Sequence, residues 1–375
     1  MPKTAAISAI LPAAGLSSRM KAYKPLLPLG EGTLLSTAIR AFKDCGIRDI
    51  RVVTGFREQD LVRVILEEGA IPVPNPGYQQ GMFSSVQAGI SSLDSRCEAF
   101  FVLPADIPLV RPSTLATLMA AFFRDGGIVY PVFQGIQGHP PLISSRFRRA
   151  VLDWPGQDGL RGCLMQFQAQ SRDVPVCDRA IHMDADTPGA YDDLIRYRSH
   201  SGVPDPDECD CLLAVEASVK PAVIRHGQAV ARVALMLADA LGPDLSLDRD
   251  LIRASALVHD LAKGRPDHAG QGARLLRRLG FDRVAGCVET HMDLETGPAT
   301  PLDESQILFL ADKLVVKDSL ELDMDSRFNL KLTTYRENPG AREAILRRRE
   351  TARIIMGKVE ARAGCTLGHI LLGGH

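Results

Sequence analysis

The strongest constraint in this sequence is a change of rhythm. Up to about residue 133, short β-rich apolar runs alternate with helical spacings. Beyond about residue 212 only helical spacing is left. Residues 5–11, 49–54, 71–73, 99–103 and 127–133 read as strands. Residues 34–42, 58–68, 84–93 and 113–124 read as the helices between them. Strands separated by single helices build βαβ units and a mostly parallel sheet. Ligands of such sheets lie beyond the carboxyl ends of the strands, which singles out residues 12–19, 75–85 and 104–110. The second half reads as helices over residues 251–261, 270–279, 283–292 and 305–314, with one long charged helix at 341–362. Between the halves lies SHSGVPDPDEC, two prolines, a glycine and three acidic residues, which reads as a linker. The expected division is 1–198, an α/β domain; 199–211, linker; 212–325, an all-α domain; and 326–375, a helical extension.

Lys and Arg total 44 against 45 Asp and Glu, so no strong field for nucleic acid or an anionic membrane surface is present. No apolar run approaches the ~18–20 residues of a membrane span. MPKTAAISAILPAAG reads as a buried strand rather than a secretory signal. Eight scattered cysteines without a C-x-x-C read as reduced thiols of a cytoplasmic protein.

In the first half, LPAAGLSSRMKAYKPLLPLG follows a strand. Ala13, Ala14 and Gly15 permit close backbone approach, so main-chain N–H groups could face phosphate oxygens, with Arg19 and Lys24 to neutralise a triphosphate. The alternative is a strand–turn–helix with a solvated basic face. It is neither G-x-G-x-x-G nor a Walker loop. In FVLPADIPLV, Asp106 follows a strand and suits Mg²⁺ held partly by substrate phosphates, although Asp before Pro108 is also an ordinary turn former. In NPGYQQGMFSSVQAGI, Asn75, Gly81, Ser84 and Ser85 sit where polar backbone would read a base or sugar. QGHPPLIS holds a glycine-bounded His139. In HMDADTPGAYDDL, Asp184 and Asp186 precede a helix started by Pro188, as a second Mg²⁺ ligand or a helix cap.

In chain order, LPAAGLSSRM, KPLLPLG, NPGYQQGMFSSVQAGI, LPADIPLV, GHPPLIS and DADTPGAY together resemble the MobA-like nucleotidyltransferases, nearest to their molybdenum cofactor cytidylyltransferase branch, over residues 5–197. The resemblance implies a Rossmann-like nucleotidyltransferase domain using Mg²⁺, in which a molybdopterin-type phosphate attacks the α-phosphate of an NTP and pyrophosphate leaves. It implies Ala13, Ala14, Gly15, Arg19 and Lys24 on the nucleotide, Asp106 on Mg²⁺ and Asp186 sharing it. Pro12-Ala13-Ala14-Gly15 in place of the Gly-Gly of guanylyl-transferring relatives favours CTP. Lys21 stands where the family often has Gly.

In the second half, His226 lies on the apolar stripe of Val223, Val230, Val233 and Leu237, where a core histidine is the ordinary alternative. His259-Asp260, His268, His291 and Asp312 follow on or beside apolar helical faces. Burying that many ionisable groups is costly unless they share a cation, and imidazole with carboxylate suits Mn²⁺ or Fe and leaves room for Mg²⁺. His226, His259-Asp260 and Asp312 resemble, in order, the signature of HD-domain phosphohydrolases over about residues 212–325. That implies a metal-activated attack of water on a phosphoester. His268 and His291 match second-metal positions, and Lys263, expected on the helix face of His259, would sit near the substrate phosphate or be a solvated lysine. Ala262 replaces a frequent Gly, and Thr290-His291 replaces paired histidines found in some members.

The expected whole is a bifunctional cytoplasmic enzyme. It transfers CMP to a molybdopterin-type acceptor and carries an HD site with one or two divalent metals for a related nucleotide, the pyrophosphate or a faulty product. Its expected partners are CTP, the phosphorylated acceptor and a molybdenum enzyme or its chaperone, with no nucleic acid or membrane and the terminal helix as a packing or dimer element. The alternatives are a sugar-phosphate or other small-phosphate nucleotidyltransferase with a nucleotide-sensing HD module, and a cofactor chaperone without catalysis.

Overall fold

The computed structural model describes residues 6–15, 22–216 and 219–373. The chain divides into two compact units, Met1–His200 and Ser201–His375. In the first, β1 (Ile7–Pro12), β2 (Asp49–Thr54), β3 (Ile71–Pro74), β4 (Ala99–Val102), β5 (Ile128–Phe133), β6 (Ile136–Gln137), β7 (Leu142–Ser144) and β8 (Ser171–Pro175) form one sheet. Its order is β8-β5-β7-β4-β1-β2-β3, with β6 paired to β5. β7 runs antiparallel to both neighbours, and the other contacts along this path are parallel. In the centre Ala9 lies opposite Ile50 on one side and Phe101 on the other.

Adjacent residues of a strand face opposite sides, and here both sides are covered. Phe100 joins Ile10, Val53 and Ile90 in one core layer, while Phe101 meets Phe42 across the other at 5.6 Å between ring centroids. That is why these strands read as continuous apolar runs. Helices α1 (Leu34–Asp44), α2 (Glu58–Glu67), α3 (Met82–Ser92) and α4 (Pro112–Asp125) fill the expected crossovers, with ends moved by one or two residues. At Gly89 of α3 an added Cβ would lie 2.4 Å from Ile10 Cγ2, so glycine lets α3 seat on the sheet. Strands β6, β7 and β8 have no counterpart in the sequence reading: they are two to five residues long, and β8 is the partly exposed SRDVP. Short helices α5 (Arg148–Leu152) and α6 (Gly159–Met165) follow β7, and α7 (Pro188–Ser199) ends the unit.

The second unit is helical, apart from the two-residue strands Val315–Val316 and Ser319–Leu320: α8 (Pro206–Cys211), α9 (Pro221–Ala240), α10 (Arg249–Val258), α11 (His268–Arg278), α12 (Asp282–Thr290), α13 (Glu304–Lys313), α14 (Met324–Thr334), α15 (Pro339–Ala363) and α16 (Leu367–Leu372). The expected linker at 199–211 is corrected in part. Residues 206–211 form α8, because Asp205 and Glu208 close a reciprocal capping box and Glu208 and Cys209 are buried. Helix α10 stops at Val258, short of the expected 261. Amides of Leu261 and Lys263 then donate to the carbonyls of Val258 and Asp260 at 3.0 and 2.8 Å, a tighter winding that Gly264 at φ +94° terminates. Among the described residues no helix is long and apolar enough to cross a membrane.

Candidate active sites

In the first unit, β1 ends at Pro12 and β4 at Val102, and the segments beyond them stay in register. The Leu103 and Ala105 amides donate to the Ile10 and Pro12 carbonyls at 3.0 and 3.1 Å, which sets Asp106 beside the exit of β1. The Asp106 carbonyl accepts from the Ala185 amide at 3.0 Å, drawing in the DADT segment. There Thr187, not an aspartate, caps α7, through Oγ1 and the Ala190 amide at 3.2 Å. Asp184 Oδ1 instead accepts from the Asp186 amide at 2.9 Å, and Asp186 is left to project. Asp106 and Asp186 converge on one ammonium: Lys24 Nζ lies 3.5 Å from Asp106 Oδ2 and 2.6 Å from Asp186 Oδ1. Burial is the largest influence on Asp106 and raises its pKa, Lys24 opposes it, and Asp186 adds to it. A carboxyl held up in this way, beside a second carboxylate, is short of positive charge. Two oxygen donors at one point fit a hard cation such as Mg²⁺ with substrate oxygens completing its shell.

Ala13 and Ala14 are buried at the end of β1. The Ala13 amide is bonded to the Val53 carbonyl at 2.9 Å and the Ala14 carbonyl accepts from Phe56 at 3.3 Å. Among the described residues an added Cβ at Gly15 would meet nothing within 4 Å. Arg19 lies outside the described residues. Asn75, Gly81, Ser84 and Ser85 come together as a knot: Asn75 Nδ2 donates to both serine hydroxyls at 3.0 Å, and Ser84 Oγ donates to the Gly81 carbonyl at 2.8 Å. These side chains brace a turn. Gly55, absent from the sequence reading, joins that turn to β1: a Cβ there would lie 2.7 Å from Tyr78 and 2.8 Å from Ala14 side-chain carbons. Its one signal is a glycine directly after a strand.

In the second unit all six predicted side chains of the HD constellation converge. His226 on α9 lies 3.1 Å from Asp312 Oδ1 and 3.9 Å from Asp260 Oδ2 through Nε2. His259 Nε2 is 3.4 Å from Asp260, and Nε2 of His268 and His291 are 3.4 and 3.8 Å from its other oxygen. The donor atoms of His226, His259 and Asp260 lie within 4.8 Å of one another, as do those of Asp260, His268 and His291. Asp260 is common to both groups.

Three of the rings are oriented from behind. Nδ1 of His226, His259 and His291 faces the carbonyls of Lys317, Ala256 and Val288 at 2.6, 2.8 and 2.6 Å. A carbonyl only accepts, so Nδ1 carries a proton in each, and Nε2 points inward, able to offer a metal its lone pair once deprotonated. Nε2 of His259 and of His291 is buried and makes no hydrogen bond among the described residues. Orphaned imidazole nitrogens beside carboxylates fit a divalent metal, and the double grouping around Asp260 fits a second.

The charges agree. Burial raises Asp260 and Asp312, yet His259 and His268 for the first, and Lys313 and His226 for the second, hold them well below the ordinary carboxylate range. Burial opposes charging of His259, but Asp260 and Asp312 outweigh it and its pKa rises. His291 is carried down to about 3 by burial and by His259. Lys263 is corrected: it lies in the turn after α10, not on the helix face of His259, and its ammonium contacts Asp260. Unforeseen in the sequence are Gly227 and Lys313. A Cβ at Gly227 would lie 2.6 Å from the Leu257 carbonyl, so glycine lets α9 close on α10 beside both histidines. Lys313, 3% exposed, holds Asp312 Oδ2 at 2.7 Å and the His291 carbonyl at 3.2 Å. A lysine directly after Asp312, at the end of the apolar run ILFLA, was its signal.

The family model for the MobA-like NTP transferase domain matches residues 9–174, and that for the HD domain matches 223–316. The molybdenum cofactor cytidylyltransferase of Escherichia coli (strain K12) is 33% identical over 188 residues, 50% of this chain and 94% of that protein. Among solved structures, Rv0371c from Mycobacterium tuberculosis H37Rv is 21% identical, with a TM-score of 0.47, over 52% of this chain and 100% of that one. A nucleotidyl transferase from Methanothermobacter thermautotroptrophicus is 18% identical, with a TM-score of 0.46, over 52% and 97%.

Proposed function

The chain belongs to the MobA-like NTP transferases and carries an HD domain behind the transferase domain, and from that premise we propose that it transfers CMP from CTP to the phosphate of a molybdopterin-type acceptor, releasing pyrophosphate, while its HD site hydrolyses a phosphoester. The observation that carries the transferase reading is the convergence of Asp106 and Asp186 on Lys24 at the carboxyl ends of the central strands. CTP and the acceptor rest on likeness to the E. coli relative and on Pro12-Ala13-Ala14-Gly15.

Phosphoryl-type transfer needs positioning and charge neutralisation more than covalent help. Lys24 supplies a fixed positive charge for the α-phosphate, and Arg19 a second. Asp106 and Asp186 would hold Mg²⁺, which when bound neutralises phosphate oxygens and orients pyrophosphate as leaving group. In the HD half, His226, His259, Asp260 and Asp312 would hold one metal, with His268 and His291 bordering a second. When bound, such a metal of Mn, Fe or Mg type polarises a phosphoryl oxygen and activates water. Backbone carbonyls fix the aim of His226, His259 and His291, and Lys263 stands at Asp260, ready for a substrate oxygen.

The test is an array of each NTP against molybdopterin and sugar-phosphate acceptors, read by pyrophosphate release. CTP with molybdopterin should dominate. Preference for a sugar phosphate would overturn the acceptor assignment. Phosphate release from a phosphoester panel, with elemental analysis of the same protein, tests the HD half: a metal-replete protein inactive on the whole panel would leave only a sensing role.

A further inference from the structure

One cavity in the transferase unit has no part in the sites described above. It measures about 680 Å³, the size of a small-molecule site. Its walls come from the β5–β6 hairpin, from Gly138-His139 beyond it and from α6. The hairpin is anchored to the segment that precedes DADT. His182 Nε2 lies 3.2 Å from the Ile136 carbonyl, and the His139 amide donates to the Ile181 carbonyl at 3.0 Å. A Cβ at Gly138 would lie 2.6 Å from Ile181 Cγ1 and 2.8 Å from His182 Cδ2, so glycine permits this approach. On the other side the Pro141 carbonyl accepts from Val102, the last residue of β4, at 3.3 Å. Asp106 follows Val102 by four residues and Asp186 follows Ile181 by five, so both anchors lead to the carboxylates of the transferase site. Asp184 lies near enough to act on the charge of both His139 and Asp106.

The lining sets the chemistry. Ile136 and Met165 are large apolar side chains left 64% and 61% exposed, and half-buried Leu160 stands with them. Apolar surface held open around a concavity favours a flat ring laid against it. A sugar, ringed by hydroxyls, would leave such walls unmatched. Among the described residues no carboxylate lines the cavity, and Gln137 Nε2 is already bonded to Asp173 behind it, at 2.6 Å. Arg161, on α6, has neither a hydrogen bond nor an ion pair among the described residues. His139 is exposed, yet enough protein surrounds it to lower its pKa, as expected inside a concavity. Its neutral ring donates to the Val102 carbonyl, so the other nitrogen is an acceptor.

We propose that this cavity is the acceptor subsite of the transferase and takes a flat heterocycle. The ring lies on Leu160 and Met165, an N–H on its edge donates to His139, and a negative charge on it meets Arg161. This assignment rests on the transferase reading and deepens it: the ring of a pterin-type acceptor is recognised, not its phosphate alone. It also gives the glycine-bounded His139 of the sequence a role.

The full chain is used, with pterin-6-carboxylate as the probe, which has the ring, the donor edge and a negative charge but no phosphate. Its binding is followed by its fluorescence, and glucose 1-phosphate is titrated calorimetrically beside it. Arg161 and Met165 are both exposed, so their variants should fold as the wild type does. Arg161→Gln should weaken the pterin about ten- to hundred-fold, the worth of a charge-assisted hydrogen bond, and Arg161→Lys should retain most of the affinity. Met165→Glu sets a carboxylate against an anionic ring and should weaken it about ten-fold or more. Met165→Leu should stay within about two-fold. In turnover, KM for molybdopterin should rise in Arg161→Gln and Met165→Glu while KM for CTP stays. No pterin binding by the wild type, binding indifferent to both variants, or equal loss of pterin and glucose 1-phosphate overturns the proposal. If pterin binding needs both residues yet no NTP releases pyrophosphate with any acceptor, the transferase reading fails and the binding site stands. CMP transfer to molybdopterin indifferent to both variants gives the reverse.

Discussion

Lys24 illustrates how much one side chain settles. It is the counter-charge that lets a mostly buried Asp106 sit near Asp186. Replacing it with Gln keeps a polar head but removes the charge. Pyrophosphate release by Lys24→Gln should fall about 10²–10³-fold, the usual loss for one preorganised group facing developing charge. A second effect has a definite sign. Lys24 lowers the Asp106 pKa against burial, so its loss raises that pKa further, and the acid limb of activity should move to higher pH. Lys24→Arg should leave the limb in place, and an unmoved limb in Lys24→Gln would show that Asp106 is not the group titrating. The residues of both sites were legible where chemistry is unusual for its setting: carboxylates at strand ends, and histidines on apolar helical stripes. Gly55 and Lys313 were not, because their roles arise from distant contacts. Gly55 is defined by Tyr78 and Ala14, and Lys313 by the His291 carbonyl.

At the scale of elements, the HD site depends on how closely α9 meets α10. Gly227 stands next to His226 and faces the Leu257 carbonyl. Gly227→Ala forces backbone against a methyl group and should cost about 1–3 kcal/mol, as overpacking usually does. It should also lower metal content measured by elemental analysis, since His226 and His259 move apart. Normal metal content with lowered stability would separate packing from ligand placement. A second element-level contact joins α15 to the segment after α12. Arg348 and Arg347 hold Asp293, and hydrogen bonds from them bring its pKa to about 2. A carboxylate with a lowered folded pKa contributes stability above its unfolded value near 3.8, and that contribution disappears as pH falls towards 2. Asp293 is nearly half exposed, so solvent screening keeps the effect within about 1 kcal/mol. Asp293→Asn should therefore be less stable than wild type at neutral pH, with the difference closing between pH 4 and 2 in acid-unfolding curves. A gap that persists at pH 2 would assign the effect to packing. Long elements with a clean period were legible in the sequence to within a residue or two. The strands β6, β7 and β8 and the helix α8 were not, since two to six residues carry too little period to read.

For the whole molecule, both units bring lysines to their carboxylates, and they differ in what is left without a partner. In the first, Lys24 is a built-in counter-ion, and the two carboxylates are partly satisfied by the protein itself. In the second, orphaned Nε2 atoms on His259 and His291 face buried Asp260 and Asp312, and the protein alone leaves them unpaired. Metal should therefore matter to folding in the second unit far more than in the first. Each unit has its own core, so the chain should melt in two calorimetric transitions. A metal at about a hundred times its dissociation constant adds about 2.7 kcal/mol to the state that binds it. For units of this size that moves a midpoint by about 5–10 °C. Chelation should lower one transition by that amount and leave the other within about 2 °C. CTP with Mg²⁺ should raise the transition that chelation spares. His259→Gln should abolish the chelator response without moving the CTP-sensitive transition. If both midpoints fall together on chelation, the contrast between a self-neutralised transferase site and a metal-dependent HD site is wrong.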